Sequence, residues 1–280
     1  MRKTMSFSAA VLLATALLLA PAAQAGRSCE ARPRTTTAVT QGLALAERTQ
    51  TALDASGANV VLLARAGQDL GKYGLRYSHL GFAYQQADAS APGGHVWRIL
   101  HKLNQCGSAD SAIYRQGLGD FFLDDPWRFE AAWVVPAPEV QQRLAALLQD
   151  TPRAVALNHP PYSLVSYAWG QTYQQSNQWA IETLALAMEP GVAGADVAAA
   201  RQKAQAWLQL KGYQPTTLRI GPLTRLGGRL TAANVAFDDH PNAKRFSDRI
   251  ETVTVDSVFA WMQHSGLATP PVSVQLPKGF

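Results

Sequence analysis

With only two cysteines in 280 residues, a charged fraction of 16% and no run of lysine or arginine, the chain lacks what several function classes require. A disulfide-dense small scaffold needs more cysteine. A nucleic-acid or anionic surface read by charge alone needs clustered cations, and the net charge of +5 is mild, with Arg2 and Lys3 supplying part of it. No His/Cys spacing of the zinc type is present, so no metal and no cofactor are expected. Apart from Ala9 to Ala20, no stretch approaches the roughly 20 apolar residues of a transmembrane helix, and that run is itself too short. No internal repeat is visible. Hydrophobic residues make up 47% of the chain, which suits a folded, enzyme-sized domain.

What is there begins with a leader. Arg2 and Lys3 precede the apolar run, and Ala23-Gln24-Ala25 offers small residues at the cleavage-defining positions. This predicts a secretory signal peptide over 1–25, cleaved after Ala25, and an exported product, periplasmic or secreted. An oxidising compartment favours pairing of Cys29 with Cys106. The alternative is a nucleophilic Cys106 in Leu103-Asn104-Gln105-Cys106-Gly107, which would leave Cys29 as an odd thiol. Residues 26–280 read as a single α+β domain, with a core over about 36–190 and a C-terminal α/β extension over 191–280.

Periodicity and punctuation place the elements. Thr35 to Ala55 has helical spacing and stops near Ser56-Gly57. The continuous apolar run Asn59 to Ala64 suits a strand buried on both faces. Strands at His79 and from His95 to Leu103 follow, so three successive strands predict an antiparallel meander. Ala131 to Val135 reads as another strand, and Pro138-Glu139 opens a helix with Val140, Leu144, Leu147 and Leu148 on one side. A further helix starts at Ser176. Asp196 to Leu210 is an Ala-rich helix, Thr216 to Phe237 reads as β-like, Ile250 to Val255 alternates as a strand, and Asp256 can cap a short final helix. Asp238-Asp239-His240-Pro241 is a polar cluster that admits two readings, a source of a carboxylate or metal ligands, or the turn that its composition favours.

Three residues carry the candidate chemistry. In Arg76 to Tyr84, His79, Gly81 and Ala83 share a shallow face opposite the bulky Leu80, Phe82 and Tyr84. His101 lies on the next strand, and strands adjacent in sequence usually pair, so the two imidazoles can come within reach. Ser176 admits two readings: an N-cap that satisfies an orphan N–H, or a nucleophile at a helix start, which needs a base and a group to orient that base.

The ordered segments Leu63-Ala64-Arg65, Tyr77-Ser78-His79-Leu80-Gly81-Phe82, Leu103-Asn104-Gln105-Cys106-Gly107, Gln116-Gly117-Leu118-Gly119-Asp120-Phe121-Phe122 and Ser176-Asn177-Gln178-Trp179 resemble bacterial domain-of-unknown-function family 2145 over nearly the whole mature chain. More distantly, the pattern is similar to circularly permuted NlpC-type papain-like proteins, a superfamily that includes lecithin retinol acyltransferase-like members. That resemblance implies an antiparallel sheet packed with helices. It also implies a base on Ser78-His79-Leu80-Gly81, an orienting residue at His101, and a nucleophile after Tyr173-Gln174-Gln175. Ser176 stands where those proteins carry Cys, a departure that bears on activity.

The leading expectation is an exported amidase, peptidase or acyl-transfer hydrolase acting on cell-envelope peptide, peptidoglycan or lipid. Ser176 would be its nucleophile, His79 the base and His101 the orienting group, with N–H groups near Asn177 holding the oxyanion and Tyr173 close by. The alternatives are an inactive papain-like pseudoenzyme that binds an envelope ligand, and a periplasmic interaction protein in which His79 and Ser176 are core and cap residues. No nucleic-acid partner is expected.

Overall fold

The computed structural model describes residues 33–277 except 125 and 195; the expected signal peptide and Cys29 lie outside them. In chain order the elements begin with α1 (Thr36–Ala55), β1 (Val60–Ala66), β2 (His79–Ala87), β3 (His95–Asn104) and β4 (Ser111–Gly117). There follow α2 (Leu118–Leu123), β5 (Arg128–Val134), α3 (Pro138–Gln149), α4 (Thr151–Ala154), α5 (Ser176–Met188) and α6 (Val197–Leu210). The last elements are β6 (Thr216–Arg219), α7 (Pro222–Thr231), α8 (Asn242–Arg245), β7 (Arg249–Thr252), α9 (Val255–His264) and β8 (Val272–Gln275).

The expected meander is present and longer than expected. Six antiparallel strands form one sheet in the order β4-β3-β2-β1-β5-β8, while β6 and β7, joined through α7 and α8, form a separate antiparallel pair. β1 is buried at every position, as its unbroken apolar run requires, because helices cover both faces of the sheet. On one side Val61, Leu63, Ala83 and Ile99 meet α1 and α2 through Leu45, Leu53, Phe121 and Phe122. On the other, Leu62, Leu80 and Phe82 meet α3 and α5 through Leu144, Trp179 and Leu184. The α3 face read from sequence is the buried one: Val140, Leu144, Leu147 and Leu148.

Two readings of the C-terminal third need correction. Within Thr216 to Phe237 only β6 is a strand; Pro222–Thr231 is the helix α7. Pro222 at its first turn and Gly227-Gly228 in its middle resemble loop punctuation, yet Pro is well suited to the start of a helix. The final helix is capped by Thr254, not Asp256: Thr254 accepts from the Ser257 N–H, and Ser257 reciprocates at the Thr254 N–H. Asp238-Asp239-His240 is structural, as its turn composition suggested. The Tyr167 N–H donates to Asp239 at 2.7 Å, and the His240 ring lies 2.9 Å from the same carboxylate. No helix among the described residues is long and apolar enough to cross a membrane.

Trp179 seats α5 on the sheet, fully buried with its ring edge-on to Phe82 at 5.8 Å. Trp179→Ala is expected to cost about 3–5 kcal/mol, read from the shift in the denaturant midpoint. A change below about 1 kcal/mol would contradict this packing account.

Candidate functional site

β2 begins at His79, one end of the sheet, where the chain emerges from a loop that Ser78 ties down by accepting from the N–H groups of Gly67 and Gln68 at 2.9 and 3.1 Å. β3 pairs with β2 so that Gly81 lies beside His101. A Cβ at Gly81 would stand 2.9 Å from both His101 Cβ and Ile99 Cγ2 and 3.2 Å from the Leu100 carbonyl oxygen, so only glycine lets the imidazole lean across. The result is a 2.8 Å contact between His79 Nε2 and His101 Nδ1. Beyond it, His101 Nε2 is 2.9 Å from Gln116 Oε1, at the end of β4.

Ser176 approaches His79 from the other side. Its hydroxyl oxygen is 3.1 Å from His79 Nδ1. The capping role weighed for Ser176 belongs to Gln175, whose side-chain oxygen accepts from the Asn177 N–H at 2.9 Å while its amide donates to the Val253 carbonyl. Ser176 is therefore the first helical residue, with its hydroxyl left for His79.

The four side chains form a line with a direction. An amide oxygen only accepts, so with Gln116 Oε1 facing the ring, His101 carries its proton on Nε2 and offers a lone pair on Nδ1. His79 then donates from Nε2 and keeps a lone pair on Nδ1, which faces the Ser176 hydroxyl. Both rings are packed by Phe121, at 5.9 Å from His79 and 5.2 Å from His101. Arg65, stacked on the same phenyl ring at 4.8 Å, is held by the Phe121 carbonyl and by Asp124. Burial first, then the Arg65 charge, holds His79 well below the ordinary imidazole value, with His101 adding to the effect. The same two leading causes lower His101 to about 4. Both rings are neutral at pH 7.

Behind Ser176 a buried polar network fixes the segment that leads into α5. Lys102 points to the sheet face opposite His101 and donates to Asn158 Oδ1 at 2.8 Å, the His159 carbonyl at 2.7 Å and Gln174 Oε1 at 2.8 Å. Burial, then Arg201, pushes Lys102 down to about 7, yet three oxygen acceptors are satisfied together only by the ammonium form. Gln174 passes the network on to Glu182 at 2.6 Å, and Glu182 pairs with Arg201 at 2.9 Å.

His79, His101 and Ser176 thus come together as the sequence suggested, and His79 and Ser176 line one cleft of about 600 Å³. The other expected positions differ. The Asn177 N–H is occupied by Gln175 and is not free for an oxyanion. Tyr173 turns its hydroxyl toward Asp238, 3.3 Å away, and does not line the cleft. Its place beside Ser176 is taken by Tyr162, which lines the cleft with its phenol against the hydroxyl and backbone N–H of Ser176. Neither the Tyr162 nor the Gln116 position follows from local spacing in the sequence. Cys106 also lines the cleft and is not a free thiol; its expected partner Cys29 lies outside the described residues.

Two outcomes test this geometry. Nitrogen-15 spectra of the histidines at pH 7 are expected to place neutral Nε2–H tautomers at both His79 and His101; an imidazolium at either position would contradict the relay. Arg65→Met removes a charge that disfavours both imidazolium forms, so both histidine titrations are expected to move to higher pH, whereas unchanged titrations would remove Arg65 from the account.

The profile of a bacterial family described as "Uncharacterized protein conserved in bacteria (DUF2145)" matches residues 52–262. No curated protein and no solved structure matches the chain. The matched span holds His79, His101, Gln116, Tyr162 and Ser176, and the chain belongs to the DUF2145 family.

Proposed function

We propose that the protein is an acyl-transfer hydrolase of permuted papain-like type, exported by its leader to act on cell-envelope material, with serine in place of the cysteine usual in such sites. The observation that carries this reading is the 3.1 Å contact between the Ser176 hydroxyl and His79 Nδ1, with the far nitrogen of the same ring held by His101 at 2.8 Å. A serine hydroxyl is a weak nucleophile without such a base, and a base needs its second nitrogen fixed to present the right tautomer. The order of parts supports the papain-like assignment: a base on one strand, its orienting group on the next, and a nucleophile at the start of a helix packed on the sheet.

In the proposed cycle Ser176 Oγ attacks the acyl carbon of an ester or amide while His79 Nδ1 takes its proton. The carbonyl oxygen becomes an oxyanion, and the Tyr162 hydroxyl, which lies beside Ser176, is assigned as its donor. Collapse breaks the bond to the leaving group, which receives the proton from His79 and departs, leaving acyl-Ser176. Water then attacks the acyl carbon, again losing its proton to His79, and frees the acid and Ser176. His101 does not touch substrate; it positions His79 and accepts the hydrogen bond that the imidazolium strengthens.

A second reading has its own support. His79 is held at low basicity, and the Asn177 N–H that would serve an oxyanion is already engaged. Both suit a pseudoenzyme that binds a ligand in the cleft without turnover.

Hydrolysis of an activated ester separates the two. Turnover is expected to fall to background in Ser176→Ala, by about 10²–10⁴ in His79→Ala and by about 10²–10³ in kcat for Tyr162→Phe. Because His79 stays neutral below the ordinary imidazole range, the rate is expected to hold as pH falls through 6.5. Equal rates for wild type and Ser176→Ala would return the protein to the binding reading.

A further inference from the structure

A second cavity, of about 240 Å³, adjoins the cleft and shares Gln68, Ser78, Tyr162 and Leu164 with it. Its wall is mainly apolar and holds no charged residue: Leu75, Val165, Leu218, Ile220, Val235 and Phe237 pack together there, supplied by the loop before β2, the segment before α5, the end of β6 and the segment after α7. Apolar walls with no facing charge match a hydrocarbon group better than a sugar or a charged peptide.

Helix α7 sits at this cavity with its polarity inverted. Thr224 and Gly228 face the cavity, whereas Leu223, Leu226 and Leu230 are 84%, 56% and 62% exposed. The spacing of those leucines puts them on one stripe, and an apolar stripe turned to water at the mouth of an apolar cavity is costly in a protein that works only in solution. The ten residues of α7 include no acidic residue; Arg225 is paired with Asp248 and turned inward, Arg229 is exposed, and Lys72 and Arg219 line the surface depression beside Thr224. Apolar side chains projecting from a helix flanked by cations are the features of an element that lies in the interface of an anionic bilayer.

We propose that α7 is an interfacial docking helix for an anionic lipid surface, and that the cavity behind it receives the acyl chain of a lipid whose ester or amide carbonyl is then presented to Ser176. The docking half stands without any chemistry at Ser176; the acyl-chain half rests on the nucleophile assigned above. The leucines enter the hydrocarbon edge, Arg229 meets lipid phosphates, and the shared walls at Tyr162 and Leu164 lead a chain from the cavity to the reacting centre.

Two measurements on the full mature chain test it. In flotation with vesicles of equal phosphatidylglycerol and phosphatidylcholine, wild type and Ser176→Ala are both expected to float, and vesicles of phosphatidylcholine alone are expected to bind at least tenfold less. The triple variant Leu223→Asp, Leu226→Asp, Leu230→Asp changes only exposed positions and is expected to lose at least tenfold in binding. Wild type that stays unbound, or a variant that binds equally, overturns docking. So does self-association of wild type that the variant abolishes, because the face would then belong to a second copy.

For the cavity, 4-nitrophenyl octanoate is expected to be turned over at least tenfold more efficiently than the acetate. Thr224→Trp, at the exposed mouth, is expected to erase that preference while leaving acetate hydrolysis intact. Equal preference in wild type, or a preference untouched by Thr224→Trp, overturns the acyl-chain site. Absence of hydrolysis of every ester alongside intact flotation instead sinks the nucleophile assignment and the acyl-chain half with it, and leaves docking standing.

Discussion

The hydrogen bond from the Asn177 N–H to the side chain of Gln175 decides what Ser176 can do. A helix start must satisfy its exposed N–H groups, and serine is among the residues best suited to the task. Had Ser176 served as the cap, its hydroxyl would have been turned along its own helix. Gln175 takes that duty from one residue earlier and is itself held by the Val253 carbonyl, so the Ser176 hydroxyl is released toward His79. The same bond occupies one backbone donor beside Ser176, so in the proposed hydrolase the oxyanion falls to Tyr162.

The rest of the site follows from two further constraints. One is the absence of a side chain at Gly81, which lets β2 and β3 bring two imidazoles together at one end of the sheet. The other is the buried network from Lys102 through Gln174 to Glu182 and Arg201, which fixes the segment entering α5 against the opposite sheet face. Such a network costs desolvation and is maintained only where every donor and acceptor is met. Lys102 meets three oxygens at 2.7–2.8 Å, consistent with a rigid seat for Ser176.

Much of this was legible in the residues themselves. The buried run of β1, the face of α3 and the succession of strands from β1 to β3 rest on local periodicity, and the structure follows it. The proximity of His79 to His101 was legible because neighbouring strands pair. Gln116 and Tyr162 were not, since their roles depend on where β4 ends and on how a loop rich in proline returns to the cleft. Gln175 was hidden because glutamine is a less usual cap than the serine beside it. Tyr173 looked near the site in sequence, but a residue three positions before Ser176 on an extended segment points elsewhere, toward Asp238. α7 reads as β-like because Pro222 and Gly227-Gly228 punctuate it, and the helical spacing of its leucines marks an outer surface and not a buried one.

The most direct test of a nucleophilic Ser176 is covalent capture. The folded protein, treated with a fluorophosphonate and weighed intact, is expected to gain one phosphonyl adduct, mapped to the peptide containing Ser176, absent from Ser176→Ala and much slower to form in His79→Ala. A folded protein that gains no adduct, or one that gains the same adduct in Ser176→Ala, would contradict the account.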